Sequence, residues 1–216
     1  MLTQKKKKGV LTIISGFSGA GKGTLVKALL KKYPDVYSLS ISATTREPRA
    51  GEQDGKEYFF KTKEQFTQMI SNRELIEYAC YVDNYYGTPK EFVKSKLDSG
   101  KDVILEIEVQ GALKVKAEYP DTLLLFVATP DVDTLLERLR GRGSETEESI
   151  QKRVRTAYRE ANYIPEYDFL VINDEIDECV ENIHQIITRY HCKPHLLKEF
   201  IYDFKQQLNE QLKGEI

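Results

Sequence analysis

The sequence predicts an α/β fold: a parallel sheet with helices on both faces, an inserted lobe of mixed strands and helix, and a small lid. Three observations predict it. Short apolar runs at 11–15, 103–107, 123–127 and 169–172 are each bounded by turn or charged residues, as strands covered on both faces are. Each run is followed by a segment of helical periodicity, and strands separated by helices imply right-handed crossovers and parallel pairing. After residue 41 the pattern changes to aromatic strand-like pieces, Glu57-Tyr58-Phe59-Phe60, 75–81 and Tyr85-Tyr86, around one helical stretch near 63–71.

The first strand, Val10-Leu11-Thr12-Ile13-Ile14, runs into GFSGAGKGT at 16–24 and then into the amphipathic Leu25-Val26-Lys27-Ala28-Leu29-Leu30. A glycine-rich turn between a buried strand and a helix is a phosphate cradle, a P-loop. Its glycines free the backbone to aim several N–H groups into one concavity, and the helix N-terminus adds donors and a positive dipole end. Gly16, Phe17, Ser18, Gly19, Ala20, Gly21, Lys22, Gly23 and Thr24 are therefore the candidate phosphate-binding residues, with Lys22 as a mobile charge for the terminal phosphates. The residue after Lys22 is Gly23 instead of the Ser or Thr of the full motif, and a hydroxyl follows at Thr24.

The segment at 40–52, SISATTREPRAGE, sets hydroxyls and two arginines, Arg46 and Arg49, in a turn interrupted by Pro48 and Gly51. Two forked guanidiniums three residues apart suit a dianion. Beyond the inserted lobe, the polar stretch at 141–146 separates a helix at 134–140 from a long helix at 147–162, and such a glycine-flanked segment is a lid candidate. A further helix at 175–190 precedes a tail in which Leu197, Ile201, Phe204, Leu208 and Leu212 recur at spacings of 4, 3, 4 and 4. That stripe is one face of an amphipathic helix, expected to pack on its own domain or on a second copy of the chain.

Composition narrows the classes. The 216 residues suit one sizeable α/β domain with inserted lobes, and Lys+Arg 32 against Asp+Glu 34 speaks against a nucleic-acid coat. No stretch reaches the roughly 18 apolar residues a membrane span needs, and the basic run at 5–8 reads as a solvated arm. Cys80, Cys179 and Cys192 lack paired spacing, which fits a reducing, cytoplasmic setting. His191, Cys192 and His195 offer only three ligands in a tail and are not read as a zinc site.

With GKEYFF around Tyr58, LIEYA around Glu77, NYYGT at 84–88, EIEVQGA at 106–112 and GRGSETEESIQKR at 141–153, the glycine loop and the arginine turn make a set of seven ordered motifs. The set resembles guanylate kinase over about residues 9–190. The resemblance implies a core at 9–41 and 89–190 with a lid at about 141–153, a GMP-binding lobe at 42–88, a basic arm at 1–8 and a helical tail at 191–216. It implies ATP-dependent phosphorylation of GMP, and of dGMP, with Mg²⁺ accompanying ATP. The acceptor phosphate is then held by Arg46, Arg49, Tyr58 and Tyr86, and the guanine by Glu77, Ser42 and Thr88, with Glu108 beside them. Guanine presents N1–H and an amino group to a carboxylate and O6 to hydroxyls, whereas adenine would leave both sets mispaired. Lys22, Arg46, Arg138, Arg142 and Arg153 are the implied catalytic charges, and Asn173 lies beside the ATP base. No side chain is assigned firmly to the metal; Thr24 and Glu106 are candidates to reach it through water.

The chain departs from the family pattern at Glu108, where Asp is common, and at Phe17, where proline is common. Two other readings stand beside the kinase: an interaction domain that keeps the fold without turnover, and a nucleoside monophosphate kinase of other base preference. The presence of Lys22, Arg142 and Arg153 argues against the first, and Glu77 with Ser42 and Thr88 against the second.

Overall fold

A computed structural model describes residues 8–141 and 146–213; Arg142 with residues 143–145 of the expected lid, and residues 1–7 of the expected basic arm, lie outside them. Strand β1 (Leu11–Gly16) leads into α1 (Lys22–Lys32), then β2 (Tyr37–Leu39). Next come β3 (Ala43–Thr44), β4 (Phe59–Phe60), α2 (Lys63–Ser71), β5 (Leu75–Tyr81) and β6 (Asn84–Pro89). The chain continues through α3 (Lys90–Asp98), β7 (Asp102–Glu106), α4 (Val109–Glu118), β8 (Leu123–Ala128) and α5 (Val132–Arg140). It ends with α6 (Glu147–Ala161), β9 (Phe169–Ile172), α7 (Ile176–Tyr190) and α8 (Lys198–Lys213).

Two sheets result. The larger has the order β2-β7-β1-β8-β9 and is parallel throughout, with Ile13 opposite Leu105 on one side and Leu124 on the other. Side chains alternate across it. Ile14, Leu123, Leu125 and Val127 face a core closed by Leu25 and Leu29 of α1 and Ile183 and Ile187 of α7. Ile13, Leu105, Leu124 and Phe126 face a second core under Val93 of α3 and Val109, Ala112 and Val115 of α4. Covering both faces is why β8 is apolar without interruption and every residue of β1 is buried, and burying each large apolar side chain contributes about 1.5–3 kcal/mol. The short edge strand β2 had not stood out in the sequence.

The second sheet, order β4-β3-β6-β5, is mixed, with β3 parallel to β4 and antiparallel to β6. It has its own small core, Ala43, Phe66 and Leu75, with Phe66 supplied by α2. Helix α2 begins in a capping box: Thr62 accepts from the Gln65 backbone while the Gln65 side chain accepts from Thr62 N. The β5–β6 hairpin turns on Val82 and Asp83, both at positive φ, as a tight two-residue hairpin requires.

The tail departs from one expectation. Helix α8 buries no residue, and Leu197, Ile201, Phe204, Leu208 and Leu212 remain 36% to 63% exposed, so the rest of the described chain does not cover this stripe. Among the described residues, no helix is long and apolar enough to cross a membrane.

Candidate active site

The site lies at the carboxyl ends of the parallel strands, where α/β sheets place ligands. Strand β1 ends at Gly16, whose φ is +147° and where an added Cβ would stand 2.0 Å from Val127 O of β8. The turn that follows reaches Gly21, the left-handed N-cap of α1 at φ +86°. No side chain caps α1 and its first turn carries no acid, so its end is an electropositive, donor-rich rim. Lys22 Nζ donates to Gly16 O at 2.7 Å and Phe17 O at 3.0 Å, folded back over the turn it follows.

The turn is braced from three sides. Phe17 sets its ring edge-on against Phe126 at 5.0 Å, and Phe126 meets Tyr167 at 5.2 Å. Leu135 and Leu139 of α5 stand next to Gly19, and Arg153 of α6 donates to Ser18 Oγ. Asn173, just past β9 and only 3% exposed, donates from Nδ2 to Ala20 O at 2.7 Å, while its Oδ1 finds no partner among the described residues. Asn173, Gly21, Thr24, Arg138, Asp174 and Ile176 line an open cavity of about 550 Å³.

Acidic groups surround the lysine. Burial raises the Glu106 carboxyl above its ordinary range, with Lys22 and Lys27 opposing the rise. Glu160 of α6 is raised by burial in the same way, Lys22 opposing and Glu108 adding to it. Glu160 was not a candidate from the sequence. The available signal was its position seven residues after Arg153, on the inward stripe that also carries the buried Ile150 and Ala157.

Across the site, the smaller sheet gathers a second set. Arg46 lies over the Tyr58 ring at 5.4 Å, and Tyr58 and Tyr86 pack edge to face at 6.1 Å. Hydrogen bonding to Glu52, followed by its charge and Tyr86, holds Arg46 more firmly in its charged form. Glu52 was likewise absent from the sequence candidates. Arg49 is exposed on the same turn, with its backbone N donating to Glu52 Oε2 at 2.8 Å. On the neighbouring strands, Thr88 Oγ1 donates to Glu77 Oε1 at 2.7 Å. Burial pushes the Glu77 carboxyl up, the Thr88 hydrogen bond pulls it down, and Glu108 adds a smaller upward push. Ser42 stands immediately before β3, its O accepting from Phe59 N at 2.9 Å. Glu108, the backbone N-cap of α4, is exposed.

The structure therefore groups Lys22, Arg138, Arg153 and Asn173 at the phosphate loop, Arg46, Tyr58 and Tyr86 in a cationic and aromatic cluster, and Glu77 with Thr88 as a half-buried polar pair. Arg49 joins the arginine turn through its backbone bond to Glu52, and Glu108 acts on Glu77 through its charge.

Comparison with known proteins agrees with this geometry. The guanylate kinase family profile matches residues 8–190. A guanylate kinase of Caldanaerobacter subterraneus is 50% identical over 202 residues, covering 94% of this chain and 98% of its own. One from Halalkalibacterium halodurans is 50% identical over 195 residues, 90% and 95% of the two chains. The crystal structure of guanylate kinase from Anaplasma phagocytophilum superposes with a TM-score of 0.64 at 29% identity, covering 85% of this chain and 87% of that one. With a glycine-rich phosphate loop, an arginine–tyrosine cluster and the half-buried Glu77 carboxylate, on a chain the family profile matches over residues 8–190 and a relative matches at 50% identity, this protein is a member of the guanylate kinase family.

Proposed function

We propose that the chain transfers the γ-phosphoryl group of ATP to GMP, and to dGMP, giving ADP and the nucleoside diphosphate. The observation that carries this reading is the Glu77–Thr88 pair, a half-buried carboxylate with one oxygen engaged by a hydroxyl, on the sheet that also holds Arg46, Tyr58 and Tyr86. A carboxylate there suits the N1–H and amino donors of guanine, and Ser42 and Thr88 suit O6. Arg46, Arg49, Tyr58 and Tyr86 take the acceptor phosphate. Its attacking oxygen is already anionic, so the reaction needs alignment and charge neutralisation more than a general base.

On the donor side, the loop backbone from Gly16 to Thr24 takes the ATP phosphates and Asn173 stands at the base. Lys22 exchanges its two carbonyl partners for the terminal phosphates. Arg138, Arg142 and Arg153 neutralise the transferred group. An arginine delivered to a phosphoryl transition state is worth roughly 10³ to 10⁵ in rate in related chemistry. Among the described residues no group of three His, Cys, Asp or Glu side chains could enclose a metal ion. Mg²⁺ accompanying ATP fits the site on other terms: the Glu106 carboxylate faces the open space beside Gly23, 3.8 Å from an added Cβ, and with Thr24 it would hold the ion's water shell. Bound there, the ion would supply charge neutralisation for the phosphates.

The lobe at 42–88 carries the acceptor and the lid at about 141–153 closes over the phosphates in this reading. The uncovered stripe of α8 is taken up by the same stripe of a second copy, since its 4, 3, 4 spacing suits a paired helical seam. The setting is cytoplasmic, in keeping with three free thiols. A coupled assay across GMP, dGMP, AMP, CMP and UMP tests the function: strong preference for the two guanine nucleotides is the expected result, and comparable turnover of AMP overturns it.

A further inference from the structure

The arginine turn contains an ion pair that the reaction as proposed leaves unused. Arg46 Nη2 donates to both oxygens of Glu52 at 2.9 Å each, and Glu52 Oε2 also accepts from Arg49 N at 2.8 Å. Arg46 Nη1 donates to Glu47 O at 2.7 Å. The guanidinium is further flanked by the rings of Tyr58 and Phe60, at 5.4 and 6.0 Å. Only 16% of the Arg46 side chain and 18% of the Glu52 side chain are exposed. Solvated surface pairs are loose and contribute little. This one is shielded, and its single carboxylate gathers donors from two points of one turn.

Two roles are open to such a carboxylate. As an occupant of the phosphate's place, it would have to leave before an acceptor binds. As a brace, it would stay and fix the arginines while the phosphate binds elsewhere on them. The geometry points to the brace. Glu52 engages one nitrogen of Arg46, and Nη1 is tied to the loop's own carbonyl, so part of the five-hydrogen fork is left to face a ligand. The contact with Arg49 N fixes the backbone from which the second arginine projects, an attachment a departing anion would not need. The turn closes through Gly51 at φ +90°, with open space around it, and through a backbone bond from Glu52 N to Arg49 O at 3.0 Å; ring packing and the Glu52 carboxylate add the side-chain hold on Arg46.

We propose that Glu52 is a positioning residue for the acceptor phosphate, holding Arg46 and Arg49 in the arrangement that receives a phosphate monoester dianion. This rests on the reading that Arg46, Arg49, Tyr58 and Tyr86 bind that phosphate. The two roles differ in sign. Charge alone says that removing a carboxylate beside two arginines tightens binding of a dianion; loss of a brace weakens it.

The experiment measures the affinities of GMP and guanosine, by calorimetry, for the wild type, Glu52→Gln, Glu52→Asp and Arg46→Gln, together with KM for ATP. Glu52→Gln is expected to weaken GMP binding by about tenfold or more, with guanosine affinity and the KM for ATP unchanged, and Glu52→Asp to recover part of the loss. Unchanged or tighter GMP binding in Glu52→Gln, or a loss shared equally by guanosine, overturns the proposal. If Glu52→Gln fails to fold, Glu52→Asp decides by the same comparison: a loss confined to GMP supports the brace, and wild-type GMP affinity overturns it. If Arg46→Gln binds GMP as tightly as the wild type does, the underlying phosphate-site reading fails, a result separate from any result at position 52.

Discussion

Replacing Glu77 with glutamine is expected to lower activity and raise the stability of the ligand-free protein together. Thr88 Oγ1 already donates to Oε1 at 2.7 Å, and an amide oxygen at that position keeps the contact. The change falls on the other atom, which turns from a charged acceptor into an N–H donor facing the donor edge of guanine. Losing a charge-assisted hydrogen bond costs about 1.5–3 kcal/mol and leaving opposed donors costs about 1–3 more. At about 1.4 kcal/mol per tenfold, kcat/KM for GMP should fall by roughly 10² to 10⁴. Activity with AMP, which never used that carboxylate well, should change only slightly. Stability moves the other way because burial raises the Glu77 carboxyl above its ordinary 4.5. The folded chain thus binds this proton more tightly than the unfolded chain, and ionisation at neutral pH works against folding. The cost is full above the raised value and absent below 4.5. Urea midpoints should therefore be higher for Glu77→Gln at pH 7, with the gap narrowing as pH falls through the raised value and gone below 4.5. An unaltered preference for GMP over AMP would refute the account of base recognition, and a lower midpoint at pH 7 would refute the account of burial.

Three further outcomes are expected. Gly21→Ala places a methyl group 2.5 Å from Asn173 Nδ2 at φ +86°; left-handed backbone costs a non-glycine residue about 1–2 kcal/mol, so ATP affinity should fall about tenfold or more while GMP affinity holds, as titration of each nucleotide will show. The Glu181 carboxyl is held down at about 2 by Lys32 first and the Tyr33 hydroxyl second. Its contribution to stability is complete above the unfolded value near 4.5 and is lost as pH falls from there toward 2, so Glu181→Gln should lower the urea midpoint at pH 7 and converge on the wild type in strong acid. For the tail, the wild type should sediment as a dimer and Phe204→Asp as a monomer with turnover per chain retained; a wild type that is monomeric at tens of micromolar removes the second-copy reading.

How legible each part was in the sequence follows from how far its physics is local. Strands β1, β7 and β8 announced themselves because burial on both faces favours apolar runs; edge strand β9 shows the same apolar run although only Val171 of it is buried. The three residues of β2 and the two each of β3 and β4 are too short to show a period, so the order of the smaller sheet emerged only from pairing. Lys22, Arg46, Glu77 and Arg153 could be nominated from ordered motifs, since each motif carries its own chemistry. Glu52 and Glu160 carry no such motif chemistry of their own. The former acts through a turn's shape, with Arg46 and the Arg49 backbone converging on it, and the latter through a helix face that meets Lys22 from the far end of the chain. The tail stripe was readable as a face requiring cover, but apolar spacing does not name the surface that covers it.

Phe17 gives the phosphate loop a dependence that proline would not. Proline stiffens a turn even in the unfolded chain, whereas Phe17 adds nothing until Phe126 is seated in the sheet and Tyr167 behind it. Order in the loop is thus borrowed from the core. Its ring also touches the packing on both faces of the sheet and the α5–α6 contact, so loosening any of these three layers reaches the donor groups that meet ATP. Nucleotide affinity in this chain becomes a gauge of how intact its interior is, and the interior sets the temperature range over which the loop remains a binding site.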